Sequence, residues 1–378
     1  MKPQSESDLS KLISGRTTPL IPCGGGTRPI GLPSEGERLS LKNLNRITQY
    51  EPGALTLVAE AGTTLKTIFG ELKEKGQMLP FEPVDYRELL GTSGEPTIGG
   101  MVATNSSGPR RVKVGGCRDF VIGLRFVDGA GNTIKTGGRV MKNVTGYDLT
   151  KLLTGSFGTL GIITEVALKV LPAPEHAAVI LIEGLSEIKA LELLNRSLNS
   201  PFEVSGAAHL CTGIDGDPVT MVRVEGFYSS VKYRAGELAK LFKDFGSLTI
   251  ESDPERTKAG WKYIRDVGPF HSKEGDVWRV STKPTLAHSL VNDLRENIEI
   301  EVFYDWAGSL IWVLVPEGTN LRDYLEGLKG HATLVRASDE TKSRMQVFPQ
   351  QGFMVQELKK KLKHQFDPNN ILNQGMVL

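Results

Sequence analysis

Residues 96–108, with the sequence Pro96-Thr-Ile-Gly-Gly-Met-Val-Ala-Thr-Asn-Ser-Ser-Gly108, decide how this chain is interpreted. They combine paired glycines, small residues and hydroxyl side chains. Glycine permits positive φ and lets a ligand reach the main chain, so backbone N–H groups can converge on one point. We interpret this stretch, within a loop-like segment 91–108, as one that binds a ligand through its backbone.

Two further glycine-rich stretches lie in the same half of the chain, Cys23-Gly-Gly-Gly-Thr-Arg28 and Gly155-Ser-Phe-Gly-Thr-Leu-Gly161. One such stretch is typical of an ordinary turn. Sixteen of the 42 glycines, however, fall between Gly91 and Gly161. Three glycine loops within one half indicate a ligand whose pyrophosphate lies against backbone.

The segment Gly129-Ala-Gly-Asn-Thr-Ile134 begins like the GxGxxG fingerprint but has isoleucine where the third glycine belongs. It also lies in a predicted hairpin and not in a strand-to-helix turn, so a Rossmann site is excluded. No GxxxxGK[ST] motif is present, which excludes a P-loop. The remaining interpretation is a dinucleotide held by loops between two sheets, without a helix N-terminus fingerprint.

The composition indicates two parts with different tasks. All four tryptophans and all six histidines lie beyond residue 175, after the Pro172-Ala-Pro174 boundary signal. A net charge of +1 over 378 residues argues against a dedicated nucleic-acid binder. The longest apolar runs fall far short of the ~20 residues that a membrane span needs. With no apolar signal-peptide core, we expect a cytoplasmic protein, or one peripheral at the inner face of the membrane through a complex.

The three cysteines, Cys23, Cys117 and Cys211, are isolated, with no CxxC pattern or Cys/His cluster. We therefore expect free thiols and no zinc or iron–sulfur site. Hydrophobic periodicity predicts an α+β fold whose second half has a mostly antiparallel sheet. The predicted strands are 55–60, 122–127, 133–136, 161–171, 178–182, 219–225, 277–281 and 311–315. A helix that runs through Lys75 is predicted to be capped by Thr63 or Thr64. The other predicted helices are 147–153, 187–198, 230–245, 285–296, 321–329 and 353–365.

In the last helix, Met354, Leu358 and Leu362 recur at helical spacing beside four lysines. Docking on anionic lipid is one interpretation of this pattern. We favour packing of the apolar residues on the core with the lysines in solvent.

Five segments in the right order resemble the vanillyl-alcohol-oxidase/PCMH-type FAD-binding family. They are PCGGGTR, PTIGGMVATNSSG, RDFVIGLRFVDGAG, KNVTGYDLTKLLTGSFGTLGIITEVALKVLPAP and FDPNNILN. Within them, SGPRRVKVGGCRDFVIG, VMKNVTGYD and the phenylalanine of GSFGTLG resemble the small FAD-binding subunits of bacterial glycolate oxidases. The resemblance implies a two-lobed PCMH-type FAD-binding domain (1–174), an α+β cap domain with a mainly antiparallel sheet (175–335), and a tail (336–378) that returns to the FAD domain.

The same resemblance implies that the loops 24–28 and 97–108 hold the FAD pyrophosphate and that 158–163 lies along the adenosine side. The implied cofactor-binding residues are Gly24, Gly25, Gly26, Thr27, Arg28, Pro96, Thr97, Ile98, Gly99, Gly100, Thr104, Ser107, Gly108, Gly158, Thr159, Gly161 and Ile163. Arg28 is either a phosphate partner or a solvated loop charge. No histidine precedes residue 176, and neither Cys23 nor Cys117 stands at an attachment position of the family, so non-covalent FAD is expected.

Other polar residues keep two interpretations. Arg110, Arg111 and Arg118 form either a phosphate or subunit-docking patch or a solvated basic face. Lys142, Tyr147 and Asp148 either brace the flavin loop, which we favour, or take part in chemistry. The paired histidines of the larger glycolate-oxidase flavoprotein, which are associated with metal and substrate, have no counterpart here. The isolated His209, His271, His288 and His331 are expected to be structural, with no metal site. Arg223, Arg234, Arg265 and Arg279 remain candidates for binding a carboxylate, and catalytic residues stay unassigned.

The implied function is that of an FAD-binding subunit in a glycolate oxidase-like complex, which converts glycolate to glyoxylate. The implied partners are a larger FAD-binding subunit, which carries out most of the substrate oxidation, and an iron–sulfur subunit. The flavin of this chain would relay electrons or stabilise the assembly. Two alternatives stay open: a self-sufficient FAD-dependent D-2-hydroxyacid dehydrogenase, and a non-catalytic assembly subunit with structural FAD.

Overall fold

The computed structural model describes residues 1–31, 35–138, 147–325, 327 and 329–376. The chain divides into two units. The first contains Met1–Ser107, Gly116–Ala173 and Gln350–Leu378, and the second contains Gly108–Gly115 and Pro174–Pro349. The sequence-based boundaries differ from this division at three places, since segments 108–115 and 336–349 and the single residue Pro174 lie in the second unit.

The elements up to residue 173 are mostly short. In chain order they are α1 (Glu6–Ile13), β1 (Leu20–Cys23), β2 (Glu37–Ser40), β3 (Ile47–Glu51), β4 (Thr56–Glu60), α2 (Leu65–Glu74), β5 (Gln77–Met78), α3 (Arg87–Leu90), α4 (Ile98–Ala103), α5 (Arg111–Val114, in the second unit), α6 (Cys117–Phe120), β6 (Val121–Val127), β7 (Thr133–Gly137), α7 (Leu149–Leu153), β8 (Ile162–Lys169) and β9 (Leu171–Pro172). A 3₁₀ turn covers Pro52–Ala54.

The remaining elements belong to the second unit, except for the last helix, α13, which belongs to the first. They are β10 (His176–Glu183), α8 (Glu187–Leu198), β11 (Gly206–Leu210), β12 (Val219–Gly226), α9 (Tyr228–Leu241), β13 (Leu248–Glu251), α10 (Pro254–Arg265), β14 (Asp276–Thr282), α11 (Ala287–Asn297), β15 (Glu301–Asp305), β16 (Leu310–Val315), β17 (Gly330–Arg336), α12 (Asp339–Arg344) and α13 (Phe353–Phe366). Short 3₁₀ turns lie at Lys243–Phe245, Gly268–Phe270, Pro284–Leu286, Trp306–Gly308 and Leu321–Tyr324.

The first unit is organised around a five-stranded antiparallel sheet in the order β3-β4-β8-β6-β7. Strands β1 and β2 form a separate parallel pair, with Leu20 opposite Glu37. Helix α2 follows β4 as predicted. The side chain of Thr64 caps it by accepting from the N–H of Thr67 at 3.2 Å, and Gly76 follows it with φ of +62°.

The second unit contains an eight-stranded antiparallel sheet in the order β13-β10-β12-β11-β15-β16-β14-β17. Helices α8 and α9 pack on it through fully buried side chains such as Leu193, Leu194 and Leu238, against Ile180 and Val222 of the strands. Helix α8 has the predicted bounds. The predicted α+β class with antiparallel sheets is therefore confirmed.

The predicted loop over 91–108 is wrong in its centre, because α4 lies there. Thr97 caps this helix by accepting from the N–H of Gly100 at 3.4 Å. Two glycines in six residues give α4 a low intrinsic helix propensity. Its first turn is instead fixed by contacts from outside, since the N–H groups of Ile98 and Gly99 donate to the carbonyls of Thr63 and Ala61.

Two predictions about helices also fail. The segment predicted as a helix over 321–329 contains the 3₁₀ turn Leu321–Tyr324, and residues 326 and 328 lie outside the described residues. In α13, Met354 is 80% exposed and Leu358 is 57% exposed, so these residues do not pack on the core. The buried residue of α13 is Lys363, whose ammonium group is held by oxygen atoms of the first unit.

Candidate functional site: a glycine-lined cleft in the first unit

An open cleft lies in the first unit, where its three glycine-rich stretches meet. Seven of the predicted cofactor-binding residues line it: Gly24, Thr97, Gly99, Gly100, Gly158, Gly161 and Ile163. The other lining residues are Pro22, Cys23, Leu41, Ala61, Ala103, Phe157, Ile162 and Asn373. No side chain in this lining carries a charge, so any polar recognition here relies on main-chain groups, hydroxyls and one amide.

The first wall of the cleft is the turn that follows β1. The strand ends where the N–H of Leu41 donates to the carbonyl of Cys23 at 3.0 Å. Within the described parts of the chain, the next four N–H groups, from Gly24 to Thr27, donate to no protein acceptor. Gly26 has φ of +69°, a conformation that favours glycine. Consecutive unpaired N–H groups in such a turn form a binding site for an anion.

The glycines of this turn are required by close packing as well as by φ. A Cβ on Gly25 would lie 1.7 Å from the carbonyl oxygen of Glu95, and one on Gly24 would lie 2.2 Å from Oγ1 of Thr97. On the opposite side, a Cβ on Gly94 would lie 1.7 Å from the carbonyl oxygen of Gly25. The two backbones therefore approach each other at a distance that no side chain permits.

The second wall is the first turn of α4. Its N-terminus rests on the turn between β4 and α2, with the N–H of Gly99 donating to the carbonyl of Ala61 at 2.8 Å. A Cβ on Gly99 would lie 2.6 Å from Cβ of Ala61. Gly99 thus lets the first turn of this helix lie directly on Ala61, which places Thr97, Gly99 and Gly100 at the cleft.

The third wall is the turn 155–161, which contains backbone strain. Phe157 has φ of +54°, between Gly155 at +87° and Gly158 at +71°. A left-handed conformation at a bulky residue is unfavourable and persists only where the surroundings fix it. Here the N–H of Phe157 donates to the carbonyl of Ala103 at 2.8 Å. The N–H of Gly158 donates to no acceptor within the described residues and adds another donor to the cleft wall.

The C-terminal tail completes the cleft, a role that sequence reasoning did not assign to single residues. The N–H of Leu20 donates to the carbonyl of Ile371, so the tail runs beside β1. The buried ammonium group of Lys363 lies 2.6 Å from the Asp367 carboxylate and donates to the carbonyls of Thr159 and Leu372. Burial lowers the pKa of Lys363, and its partner Asp367 opposes that shift. The motif FDPNNILN and the i, i+4 spacing of Lys363 and Asp367 were the available signals.

Several predicted residues lie outside the cleft lining. Arg28 lies 5.6 Å above the ring of Tyr86 and donates to the carbonyl of Val84. Ser107 accepts from the N–H of Cys117 at 2.9 Å, and Thr104 donates to the carbonyl of Gly100 at 2.8 Å. The structure thus uses these polar groups to hold the walls. The other predicted residues outside the lining are Gly25, Gly26, Thr27, Pro96, Ile98, Gly108 and Thr159, and Gly108 belongs to the second unit.

The predicted bracing residues have separate positions. Asp148 caps α7 by accepting from the N–H of Lys151, and Tyr147 is exposed to solvent. Lys142 lies outside the described residues. Cys117 is fully buried, which raises the pKa of its thiol to about 12, whereas Cys23 lines the cleft.

The arginine candidates of the second unit form two groups. Arg110 lies 2.7 Å from the carboxylate of Glu225, which is also 3.4 Å from Arg223, while Arg234 donates to the carbonyl of Glu225. These four residues form a mostly buried network. The second group is Arg111 and Arg279, each 5.0 Å from the ring of Trp306. Arg265 pairs with Asp266 at 2.7 Å, and Arg118 is exposed on the first unit.

The histidines of the second unit mostly have protein partners. Buried His209 is within 3.0 Å of Thr220 Oγ1, and burial lowers its pKa to about 4. His271 bonds the carbonyl of Asp266, and His288 lies 3.1 Å from the amide of Asn292. Among the described residues, no three His, Cys, Asp or Glu side chains are grouped as metal ligands.

The cleft fits a dinucleotide on three observations. Among the described residues, the N–H groups of Gly24 and Gly158, which line the cleft, donate to no protein acceptor, and neither do those of Gly25 to Thr27 in the turn that continues from Gly24. Phosphate oxygens require several such donors. The glycines let the walls of the cleft pack closely on each other, since a Cβ on Gly25 or Gly99 would lie within 2.6 Å of another protein atom. Two buried oxygens, Ser156 Oγ and Asn373 Oδ1, have no hydrogen-bond partner among the described residues. Buried polar atoms of this kind, of which Asn373 lines the cleft, indicate a missing hydrogen-bond partner.

Comparison with known proteins agrees with this chemistry. A model described as an FAD binding domain matches residues 1–137. Glycolate oxidase subunit GlcE of Escherichia coli (strain K12) is 34% identical to this chain, over 98% of this chain and 95% of its own length. The chain belongs to the FAD-binding oxidoreductase family. FAD is therefore its cofactor, a group that accepts and donates electrons when bound.

Other members of the FAD-binding oxidoreductase family match over different shares. D-lactate dehydrogenase of Archaeoglobus fulgidus is 28% identical over all of this chain and 90% of its own. Glycolate oxidase subunit GlcD of Bacillus subtilis (strain 168) is 37% identical over 46% of this chain and 37% of its own. Among solved structures, an alkyldihydroxyacetonephosphate synthase superimposes with a TM-score of 0.70 at 17% identity, over 99% of this chain and 76% of that one. The likeness confirms the predicted PCMH-type fold. No helix in the described residues is long and apolar enough to cross a membrane.

Proposed function

We propose that this chain is the FAD-binding subunit of a glycolate oxidase-like complex that converts glycolate to glyoxylate. Its non-covalently bound flavin relays electrons, while the hydride is removed from the substrate on a larger partner flavoprotein. An iron–sulfur subunit accepts the electrons in turn. The observation that carries this proposal is the glycine-lined cleft, in a chain similar along nearly its whole length to a subunit of glycolate oxidase.

The proposed division of labour is supported by the positions of polar groups in the second unit. Removing a hydride from a 2-hydroxy acid requires a base for the hydroxyl proton and a cation for the carboxylate. His209 is buried on Thr220, and His271 is engaged by the carbonyl of Asp266. Arg110 and Arg223 pair with Glu225. These groups serve the packing of the unit, which favours a substrate site on the partner.

A partner is also supported by the exposed face of α13. Phe353, Met354, Val355 and Leu358 place four large apolar side chains in solvent within six residues. Lys360 pairs with Glu357 at 2.9 Å, and Lys361 lies exposed beyond the apolar residues. An apolar centre bordered by charge is typical of a protein–protein interface. We assign this face to the partner flavoprotein, with acidic groups opposite the lysines.

The assignment of this face is tested by co-purification. The double substitution Met354→Glu and Leu358→Glu is expected to abolish recovery of the partner subunits while FAD content stays unchanged. The matched control is Ile214→Glu in the second unit, since Ile214 is 83% exposed and stands outside this face. Full recovery of the partners by the double variant contradicts the assignment.

The electron-relay role is tested by mixing the purified chain with glycolate without oxygen. The flavin absorbance of the isolated chain is expected to stay, and that of the reconstituted complex to bleach. Rapid bleaching in the isolated chain contradicts the relay. Photoreduced flavin that the partner cannot reoxidise indicates a purely structural cofactor.

A second candidate function, a self-sufficient D-2-hydroxyacid dehydrogenase, is favoured by the surroundings of Trp306. Trp306 and Ala307 have φ of +50° and +54°, ahead of Gly308 at +91°, and strain of this kind is common at functional sites. The indole lies 5.0 Å from both Arg111 and Arg279, two cations suited to a carboxylate. If this candidate holds, Arg279→Gln abolishes bleaching of the isolated chain by D-lactate, with FAD content unchanged.

A further inference from the structure

Asn373, in the C-terminal tail, stands between two walls of the FAD cleft. Its N–H donates to the carbonyl of Leu20 at 2.9 Å, at the start of the strand that leads into the glycine turn. Its side-chain amide donates to the carbonyl of Phe157 at 2.7 Å, in the strained turn 155–161. A residue in the tail, more than 200 positions away from Phe157, therefore joins the first wall to the third.

The chemistry of these bonds fixes which way the amide points. A backbone carbonyl only accepts hydrogen bonds, so the group facing Phe157 must be the NH₂. The Asn373 backbone has φ of +43°, and the residue is 5% exposed, so the side chain has little freedom to turn away. Oδ1 is consequently held on the other side of the amide.

Oδ1 of Asn373 is buried and has no hydrogen-bond donor among the described residues. The residue lines the cleft, and its amide lies near Gly158, where a Cβ would be 3.1 Å from Nδ2. A buried acceptor without a donor is unfavourable, whereas FAD offers hydroxyl, amine and imide donors. We propose that Asn373 Oδ1 accepts a hydrogen bond from bound FAD, which makes the C-terminal tail part of the cofactor site.

The support behind Asn373 is rigid enough for this role. The Asp367 carboxylate accepts from the N–H groups of Ile371 and Leu372 at 3.0 and 2.8 Å. Its other partner, Lys363, also donates to the carbonyl of Thr159, in the turn that Asn373 anchors. The tail and the third wall are therefore fixed to each other, and FAD binding is expected to order both together.

The test compares FAD affinity in two variants of the full chain. Asn373→Ala removes the acceptor. Asn370→Ala is the matched control, because Asn370 lies in the same turn with φ of +49° but is exposed. FAD is titrated into each apoprotein, and the thermal midpoint is measured with and without FAD. We expect FAD affinity to fall about tenfold in Asn373→Ala, equivalent to ~1.4 kcal/mol, and to be unchanged in Asn370→Ala.

The apoprotein midpoints distinguish ligand contact from general support. A smaller FAD-induced rise of the midpoint in Asn373→Ala than in the control supports the contact. An unchanged FAD affinity overturns it, and so does a lower apoprotein midpoint with an unchanged FAD-induced rise. If Asn373→Ala does not fold, amide hydrogen exchange on the wild-type chain decides: residues 371–376 are expected to exchange more slowly with FAD, and equal rates overturn the proposal. FAD affinity, the FAD-induced rise of the thermal midpoint and hydrogen exchange all report cofactor binding alone, so they are independent of the proposed complex and its substrate.

Discussion

In the first unit, the N–H groups of Gly24, at the cleft, and of Gly25 to Thr27, in the same turn, donate to no protein acceptor among the described residues. In the second unit, by contrast, Arg110 and Arg223 lie within 3.4 Å of the carboxylate of Glu225. The first arrangement leaves polar groups for a ligand and uses glycine to expose them. The second places charged groups against each other inside the unit. In this chain, therefore, unpaired backbone donors identify the cofactor site better than buried charged side chains do.

The largest effect is expected from a side chain placed in the glycine turn. In Gly25→Val the new Cβ would lie 1.7 Å from the carbonyl oxygen of Glu95, so the turn must move and its N–H groups lose their positions. FAD affinity is expected to fall by about 100-fold, the scale of overpacking by up to 3 kcal/mol. The measurement is a fluorescence titration of the apoprotein with FAD.

The control for this substitution is Gly70→Ala, in the exposed interior of α2, where nothing lies within 4 Å of a new Cβ. It is expected to stabilise the fold by roughly 0.5–1 kcal/mol and to leave FAD affinity unchanged. Wild-type affinity in Gly25→Val would show that the turn does not hold the cofactor.

The opposite behaviour is expected for the second unit. Arg110→Met leaves the Glu225 carboxylate with one partner fewer in a buried position and is expected to lower the unfolding free energy by about 3 kcal/mol. FAD affinity should stay within twofold of the wild type. Urea denaturation measures the loss, and Lys189→Met, which breaks the exposed pair with Glu192, is expected to cost less than about 1 kcal/mol. Equal losses of unfolding free energy in Arg110→Met and Lys189→Met would show that the buried ion pair stabilises the fold no more than the exposed pair does.

The pH dependence of stability provides a third comparison. Burial lowers the pKa of His209 to about 4, below its ordinary value, so the unfolded chain binds a proton at a higher pH than the folded chain does. The contribution of neutral His209 to the free energy of unfolding is fully present above about pH 6.5 and is lost as the pH falls towards 4. Between pH 7 and pH 5 the expected loss is about 2 kcal/mol.

Denaturant unfolding at the two pH values measures this loss. The variant His209→Gln, which carries no titrating ring, is expected to lose about 2 kcal/mol less over the same range. An identical pH dependence in the variant and the wild type would show that His209 is not the group responsible.

The smallest effect concerns thiol labelling. Cys23 lines the cleft, whereas Cys117 is buried with its pKa raised to about 12, so it forms little of the thiolate that alkylating agents attack. Labelling with a maleimide followed by peptide mass spectrometry is expected to modify Cys23 several times more slowly in the presence of FAD. Cys23 labelling that FAD does not slow would place the cofactor elsewhere.

The glycine loops could be predicted from sequence because their requirement is local. Gly26 needs a positive φ, Gly25 lies against the backbone of Glu95 and Gly24 lies against the side chain of Thr97, so a cluster of glycines already indicates a ligand. The alternation of strands and helices likewise predicted the antiparallel sheet of the second unit. Helix α4 was missed because its stability comes from the carbonyls of Ala61 and Thr63, more than 30 residues away.

The tail could not be predicted in detail for the same physical reason. Lys363 and Asn373 contact Thr159 and Phe157 over more than 200 residues, and no local pattern encodes such a pairing. The spacing of Met354 and Leu358 suggested burial, yet both are exposed because α13 is anchored through its C-terminal end. Periodicity shows that a helix has an apolar face but does not identify what covers it.

The most direct test of the central claim is a comparison of FAD and riboflavin binding to the purified chain. Riboflavin lacks the pyrophosphate and the adenosine, so it has no phosphate oxygens to accept from the N–H groups of the turn formed by Gly24 to Thr27. One FAD per chain is expected to bind about 100-fold or more tightly than riboflavin, corresponding to ~2.8 kcal/mol of phosphate and adenosine contacts. Equal affinities for the two flavins would contradict a site built on backbone donors to the pyrophosphate.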